Sequence, residues 1–133
     1  MGSEIPVFDK NDDMAEIKAA LDKAGCAVIR HIQTEANVDQ VKSELHEYMS
    51  QVPLATEDSP EEFYPANTRR LPAILARSPG SHAMALDNSI AQLCWHHLGS
   101  NCERYHLHVS AALEIGPGAR EQVLHREEDP FQF

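Results

Sequence analysis

The chain has 133 residues, a length that suits one domain and is short for two. Hydrophobic residues make up 42% and charged residues 24%, a composition that is typical of globular proteins and excludes a globally disordered chain. Lys and Arg number 11 against 21 Asp and Glu, so the formal net charge is −10. Because such a charge repels phosphate groups, we expect neither nucleic acid nor a membrane surface as a partner.

Location signals in the sequence favour a cytoplasmic protein. No apolar run approaches the roughly 20 residues that a membrane-spanning helix needs. The first ten residues, MGSEIPVFDK, lack the basic and apolar regions of a signal peptide. The three cysteines, Cys26, Cys94 and Cys102, are odd in number and do not follow a zinc-binding spacing. We therefore expect a reduced, intracellular chain.

The first third of the chain predicts two helices and a strand. Helical spacing of apolar residues predicts a helix from about Asp12 to Ala24, which Gly25 would end. The short apolar run Cys26–Arg30 predicts a buried strand. A second helix is expected to begin at the N-cap Thr34 and to end by Pro53.

The middle of the chain, from Pro53 to Gly80, predicts a long irregular segment. Prolines recur along it, and only short apolar pieces lie between them. Long loops inside compact domains are often binding loops or lids. Asn67–Arg70 places two guanidinium groups together, and a solvated basic turn is the simplest interpretation of that pair.

A third helix is predicted from Asn88 to Leu98, followed by Gly99. Within it, Trp95, His96 and His97 are adjacent in sequence. Neighbouring residues point in different directions around a helix, so we expect these side chains to be packing and surface residues and not a ligand cluster.

The last third of the chain is predicted to be β in character. Strict alternation of apolar residues predicts a strand over Tyr105–Ile115, which Gly116–Gly118 would end. A further strand is expected over Glu121–Glu127. Helices followed by strands predict an α+β fold.

The segment Gln122–Glu127, QVLHRE, carries the clearest chemical signal. On a strand, His125 and Glu127 would project to the same face. An imidazole and a carboxylate are two of the three ligands in the facial triad of non-haem Fe(II) oxygenases. The alternative is a surface histidine beside exposed acids, since Glu128 and Asp129 follow directly.

The order of these features resembles the phytanoyl-CoA dioxygenase-like family. More closely, it is similar to the fungal members that oxidise alkaloids and meroterpenoids in secondary metabolism. The resemblance is strongest in Ala112–Ala119, with its Gly-Pro-Gly turn, followed by Gln122–Glu127. Weaker similarity lies in Thr68–Arg70 before Ser78-Pro79 and in the helix that ends at Leu98-Gly99.

This resemblance implies a double-stranded β-helix, or jelly roll, that uses Fe(II), 2-oxoglutarate and O₂ to oxidise a small natural product. His125 and Glu127 would be metal ligands. Gln122 and, less directly, Arg69 would contribute to binding of the cosubstrate, 2-oxoglutarate. No nucleic acid and no membrane enter this function.

Two departures from the family pattern shape the expectation. Most relatives have Asp at the position of Glu127. Relatives also place a second His ligand and a basic 2-oxoglutarate-binding residue far downstream, whereas this sequence stops eight residues after His125, at Phe133. His106 or His108 could substitute for the missing ligand if a hairpin brought their strand near His125; otherwise they line a face of a β-sandwich strand.

We therefore expect residues 1–133 to form a truncated dioxygenase domain, with a helical part at about 12–98, a β part at about 104–133 and an incomplete jelly roll. Such a chain would be inactive alone, since the second His and the basic residue are missing. Two alternatives remain: a non-catalytic auxiliary subunit that pairs with a full-length dioxygenase, and a small independent α+β binding module.

Overall fold

The computed structural model describes residues 4–57, 65–122 and 124–126. Five helices and four strands lie in these residues, in the order β1 (Val7–Asp9), α1 (Met14–Ala24), β2 (Val28–Arg30), α2 (Glu35–Gln51), β3 (Thr68–Pro72), α3 (Ile74–Arg77), α4 (Gly80–Ala85), α5 (Asn88–Leu98) and β4 (Ala111–Ile115). This mixture confirms the predicted α+β class. A jelly roll is not formed within the described residues, whose strands make two sheets of two strands each.

The three long helices confirm the sequence predictions, because local signals set their ends. The Asp13 side chain caps α1 by accepting from the Ala15 N–H, and Gly25 adopts the left-handed conformation (φ 74°) that ends the helix. Thr34 caps α2 through a 3.1 Å hydrogen bond from the Asn37 N–H. The third of these long helices, α5, has the predicted bounds, with Asp87 as its N-cap.

The first sheet joins β1 and β2 in parallel, and α1 makes the crossover between them. The sequence does not predict β1, because three residues are too few to show an alternation, and it predicts a β2 that begins two residues too early. Directly after β2, the His31 Nδ1 lies 2.5 Å from the carboxylate of Asp9, the last residue of β1. This hydrogen bond holds the pKa of Asp9 below its usual value.

The second sheet corrects the prediction that Pro53–Gly80 is irregular throughout. β3 lies in that segment and pairs antiparallel with β4, with Leu71 opposite Ala112. Two short helices, α3 and α4, follow it. Positive φ angles at Asn67 (62°) and Ala73 (57°) bracket β3, so the strand begins and ends abruptly and leaves no long pattern in the sequence.

The core lies where α2 packs against β3 and the short helices. Val41, Leu45 and Leu71 are its buried members, and partly buried side chains surround them: Met49, Val52, Ile74, Met84 and Ala112. Val41, Leu45 and Met49 recur at helical spacing along α2, so they lie on the one face of the helix that the fold covers.

A partly buried polar contact lies beside this core. The Glu44 carboxylate on α2 accepts hydrogen bonds from the Ser78 hydroxyl (2.6 Å) and the Gly80 N–H (2.9 Å). Ser78 itself is fully buried. The Ser78 hydroxyl, followed by the Gln40 amide and the Gly80 N–H, lowers the pKa of Glu44, so the contact is one made by the ionised carboxylate.

Two strand predictions in the last third are wrong for the described residues. Only Ala111–Ile115 of the predicted Tyr105–Ile115 strand is β-structure, because β3 offers a partner of only five residues. Residues 121, 122 and 124–126 of the predicted Glu121–Glu127 strand have no regular secondary structure. Alternation predicts which side chains share a face, but a strand also needs a hydrogen-bonding partner.

In the part of the chain that the structure describes, no helix combines the length and the apolarity needed to cross a bilayer.

Candidate functional site

The structure places Arg69, a predicted cosubstrate-binding residue, in the β3–β4 sheet. It lies opposite Glu114 in the register of the two strands. Its guanidinium donates a 2.5 Å hydrogen bond to the Glu114 carboxylate, and its Nε donates to the Val52 carbonyl oxygen at 3.0 Å. Arg69 therefore joins β3 to β4 and to the residue that follows α2.

The solvated basic turn expected at Asn67–Arg70 is not what the structure shows, since both arginines lie in a strand. Successive strand residues point to opposite faces, so Arg69 and Arg70 do not present one cationic surface. Arg69 is partly buried, with a side-chain exposure of 26%, whereas Arg70 is exposed.

The contact between Arg69 and Glu114 should be measurable as a coupling in stability. Because both side chains are partly exposed, we expect a double-mutant cycle of Arg69→Met and Glu114→Gln to give a coupling of about 0.5–1 kcal/mol in urea unfolding. The cycle Arg70→Met with Glu114→Gln is the matched control and should show none. A coupling of zero for the Arg69 pair would mean that its ion pair does not contribute to the sheet.

The Gly-Pro-Gly turn, residues 116–118, ends β4 as predicted and is hydrogen-bonded to the residue before β3. The Gly116 N–H donates to the Asn67 carbonyl oxygen at 2.8 Å, and Gly118 has a φ of 77°. A Cβ at Gly116 would lie 2.9 Å from that same oxygen, so a side chain cannot fit without movement of the backbone. The backbone contact explains why glycine is used at position 116.

The remaining predicted site residues follow this turn. Gln122 and His125 are exposed and lie outside helices and strands. Glu127 falls outside the described residues, so its placement relative to His125 stays a prediction. His and Glu are chemically suitable ligands for Fe(II), but together they supply two of the three protein ligands of a facial triad.

The proposed substitute ligands lie before β4. His106 and His108 are exposed and precede the strand on which they were expected to share a face. Among the described residues they do not form a three-residue ligand cluster with His125. The described geometry therefore gives no support to their replacing the missing ligand.

One cluster of potential metal ligands occurs among the described residues, and no pattern in the sequence predicts it. Asp22 lies close to His96 and His97, with the ligating atoms of all three residues within 4.8 Å of one another. His96 and His97 are surface residues, as expected, but their imidazole rings lie only 5.0 Å apart at their centroids, so both can approach the same third group. Asp22 is 74 positions from His96 in the sequence, so no local pattern links it to the two histidines.

Comparison with known proteins supports a relationship to a dioxygenase. The chain is 30% identical to dioxygenase cnsJ of Penicillium expansum over 146 aligned positions, which cover 95% of this chain and 42% of that protein. The chain thus spans less than half the length of this curated relative. No protein-family model matches the chain.

Proposed function

We propose that these 133 residues form the N-terminal part of an Fe(II)/2-oxoglutarate-dependent dioxygenase domain of the phytanoyl-CoA dioxygenase-like type. The similarity to dioxygenase cnsJ, which runs along nearly the whole chain but covers 42% of the relative, is the observation that carries this proposal. The substrate class would be a small natural product such as an alkaloid or meroterpenoid of fungal secondary metabolism. The site of action would be the cytoplasm.

In this proposal His125 and Glu127 hold the metal, and Gln122 contributes an amide to the binding of 2-oxoglutarate. Fe(II) and 2-oxoglutarate, when bound, supply the oxidising chemistry with O₂. Arg69 contributes to 2-oxoglutarate binding only indirectly, since its guanidinium already binds Glu114 and the Val52 carbonyl. It positions the β3–β4 sheet from which the Gly-Pro-Gly turn and the metal-binding segment continue.

Activity would require polypeptide beyond these residues to supply the second His and the basic residue. The exposed apolar side chains of β4 support such a completion, because Leu113 is 59% exposed and Ile115 is 72% exposed. Among the described residues, β4 has β3 as its sole strand partner. A strand with an open edge and an apolar face is normally covered by further strands.

The second candidate function is that of an auxiliary subunit that pairs with a full-length dioxygenase and does no chemistry itself. The same exposed side chains of β4 favour it, since a separate subunit could cover them as well as a continuation of the domain. The two candidates differ in whether His125 is needed for activity of the assembled protein.

The test is an anaerobic titration of the chain with Fe(II) and 2-oxoglutarate, which reports the weak visible charge-transfer band of the assembled site. We expect no band and no 2-oxoglutarate turnover from the chain alone. Both should appear when the chain is co-expressed with the C-terminal segment of a full-length homologue. The variant His125→Ala should then abolish them, while His46→Ala, at an exposed position of α2, should leave them intact.

Three other results of this titration would contradict the proposal or favour the second candidate function. Turnover by the chain alone would show that its site is complete and overturn the proposed need for a further segment. A stable complex that shows neither band nor turnover would overturn the dioxygenase proposal. A complex with an intact homologue that stays active after His125→Ala would favour the auxiliary subunit.

A further inference from the structure

The C-terminal ends of α1 and α5 meet, and three potential metal ligands converge there. Asp22 lies in the last turn of α1, and His96 and His97 lie in the last turn of α5. Among the described residues, no other group of three His, Cys, Asp or Glu side chains brings its ligating atoms this close together. The cluster is separate from the predicted ligands His125 and Glu127.

The distances suit donor atoms that share one ion. The His96 Nε2 lies 2.9 Å from one Asp22 carboxylate oxygen and 3.0 Å from the other. Two neighbouring donor atoms, each about 2.0–2.2 Å from the same ion, lie about 2.9–3.5 Å apart. An ion could therefore take the place of the proton that this pair shares, with little movement of either side chain.

His97 adds a third potential ligand to the pair formed by Asp22 and His96. A contact between Asp22 and His96 alone would not require a second imidazole, yet His97 brings its ligating nitrogen within 4.8 Å of the other two groups. Its ring lies edge-on to that of His96, at an interplanar angle of 70°, so the two rings do not stack. Both histidines are exposed, so the His97 ring has room to turn towards the other two groups.

The electrostatic environment favours a cation. The carbonyl ends of two helices lie here, and each carries a partial negative charge. The carboxylate of Asp22 adds to this, although Lys23 opposes it from the last turn of α1. The net charge of −10 acts in the same direction.

We propose that Asp22, His96 and His97 bind a divalent transition-metal ion, and specifically Zn²⁺. Two imidazoles and one carboxylate are ligand types that Zn²⁺ prefers, and three protein ligands leave a position for water. The ion fastens α5 to α1. That fastening matters because α5 has no fully buried residue and α1 has one, Ile17, so hydrophobic contacts alone hold the two helices weakly.

The test uses the full chain, free of any histidine tag and stripped of metal, and titrates Zn²⁺ by calorimetry near neutral pH. The background variant His125→Ala removes the histidine of the other proposed metal site, which His125 and Glu127 would form. In that background we expect one equivalent of Zn²⁺ to bind and to raise the melting temperature. Adding His97→Ala or Asp22→Asn should weaken binding at least about tenfold and abolish the thermal shift.

Two controls keep the result interpretable. His97→Ala leaves the hydrogen bond between Asp22 and His96 intact, so circular dichroism should show an unchanged fold. His46→Ala removes an exposed histidine from α2, away from the cluster, and should bind Zn²⁺ like its parent. If the His97→Ala and Asp22→Asn variants bound Zn²⁺ as tightly as their parent, or if the parent showed no saturable binding at millimolar Zn²⁺, the proposal would be overturned.

Discussion

Replacing Leu71 with alanine should lower the free energy of unfolding by about 2–5 kcal/mol. Leu71 is 4% exposed. It lies on β3 and packs in the core with Val41 and Leu45, which lie on α2. Truncation removes buried methyl groups and leaves a cavity where the sheet meets the helix, since the backbone pairing with β4 prevents complete collapse. Urea unfolding followed by circular dichroism measures the change.

Leu113→Ala is the matched control for this prediction. It makes the same chemical change in the facing strand, at a side chain that is 59% exposed. We expect its effect to stay within about 0.5 kcal/mol. Equal losses for Leu71 and Leu113 would contradict the arrangement in which β3 faces α2, and would indicate instead that β4 has a covering layer in solution.

Ile17→Ala is expected to cost a similar amount, about 2–5 kcal/mol, in a different part of the molecule. Ile17 is 1% exposed and lies on α1, outside the cluster that Val41, Leu45 and Leu71 form. The loss should therefore act first on the β1–α1–β2 unit. Native-state hydrogen exchange should show faster exchange in α1 and β2 than in α2 and β3.

Ile90→Ala on α5 provides the comparison, because that side chain is 39% exposed and should contribute less. If Ile17→Ala instead accelerated exchange equally in α1 and α2, the two parts would unfold as one cooperative unit. A loss for Ile90→Ala as large as that for Ile17→Ala would mean that α5 is more deeply packed than the structure shows.

The helices could be predicted from the sequence because their determinants are local. Asp13 and Thr34 cap α1 and α2 by accepting from backbone N–H groups no more than three residues away. Gly25 ends α1 because it adopts the left-handed conformation. The strands could not be predicted as well. β3 is five residues long and ends in Pro72, and its existence depends on pairing with β4 far along the chain.

The candidate site divides in the same way. The His125 motif and the Gly-Pro-Gly turn are patterns of adjacent residues, so the sequence alone shows them. The pairing of Arg69 with Glu114 depends on strand register, which alternation cannot give. The approach of Asp22 to His96 depends on how α1 docks against α5, which no local pattern encodes.

The connectivity of the two sheets has a consequence for synthesis of the chain. The β1–β2 pair closes around α1 alone, with Asp9 and His31 separated by 22 positions, whereas Arg69 and Glu114 are 45 positions apart. The ribosome must therefore synthesise α3, α4 and α5 before β3 can pair with β4. Closing this longer loop also costs more conformational entropy than closing the shorter one. Until β4 is made, the core formed by Val41, Leu45 and Leu71 lacks Ala112. During that stage β3 has an unpaired edge, which exposes the nascent chain to chaperone binding and aggregation.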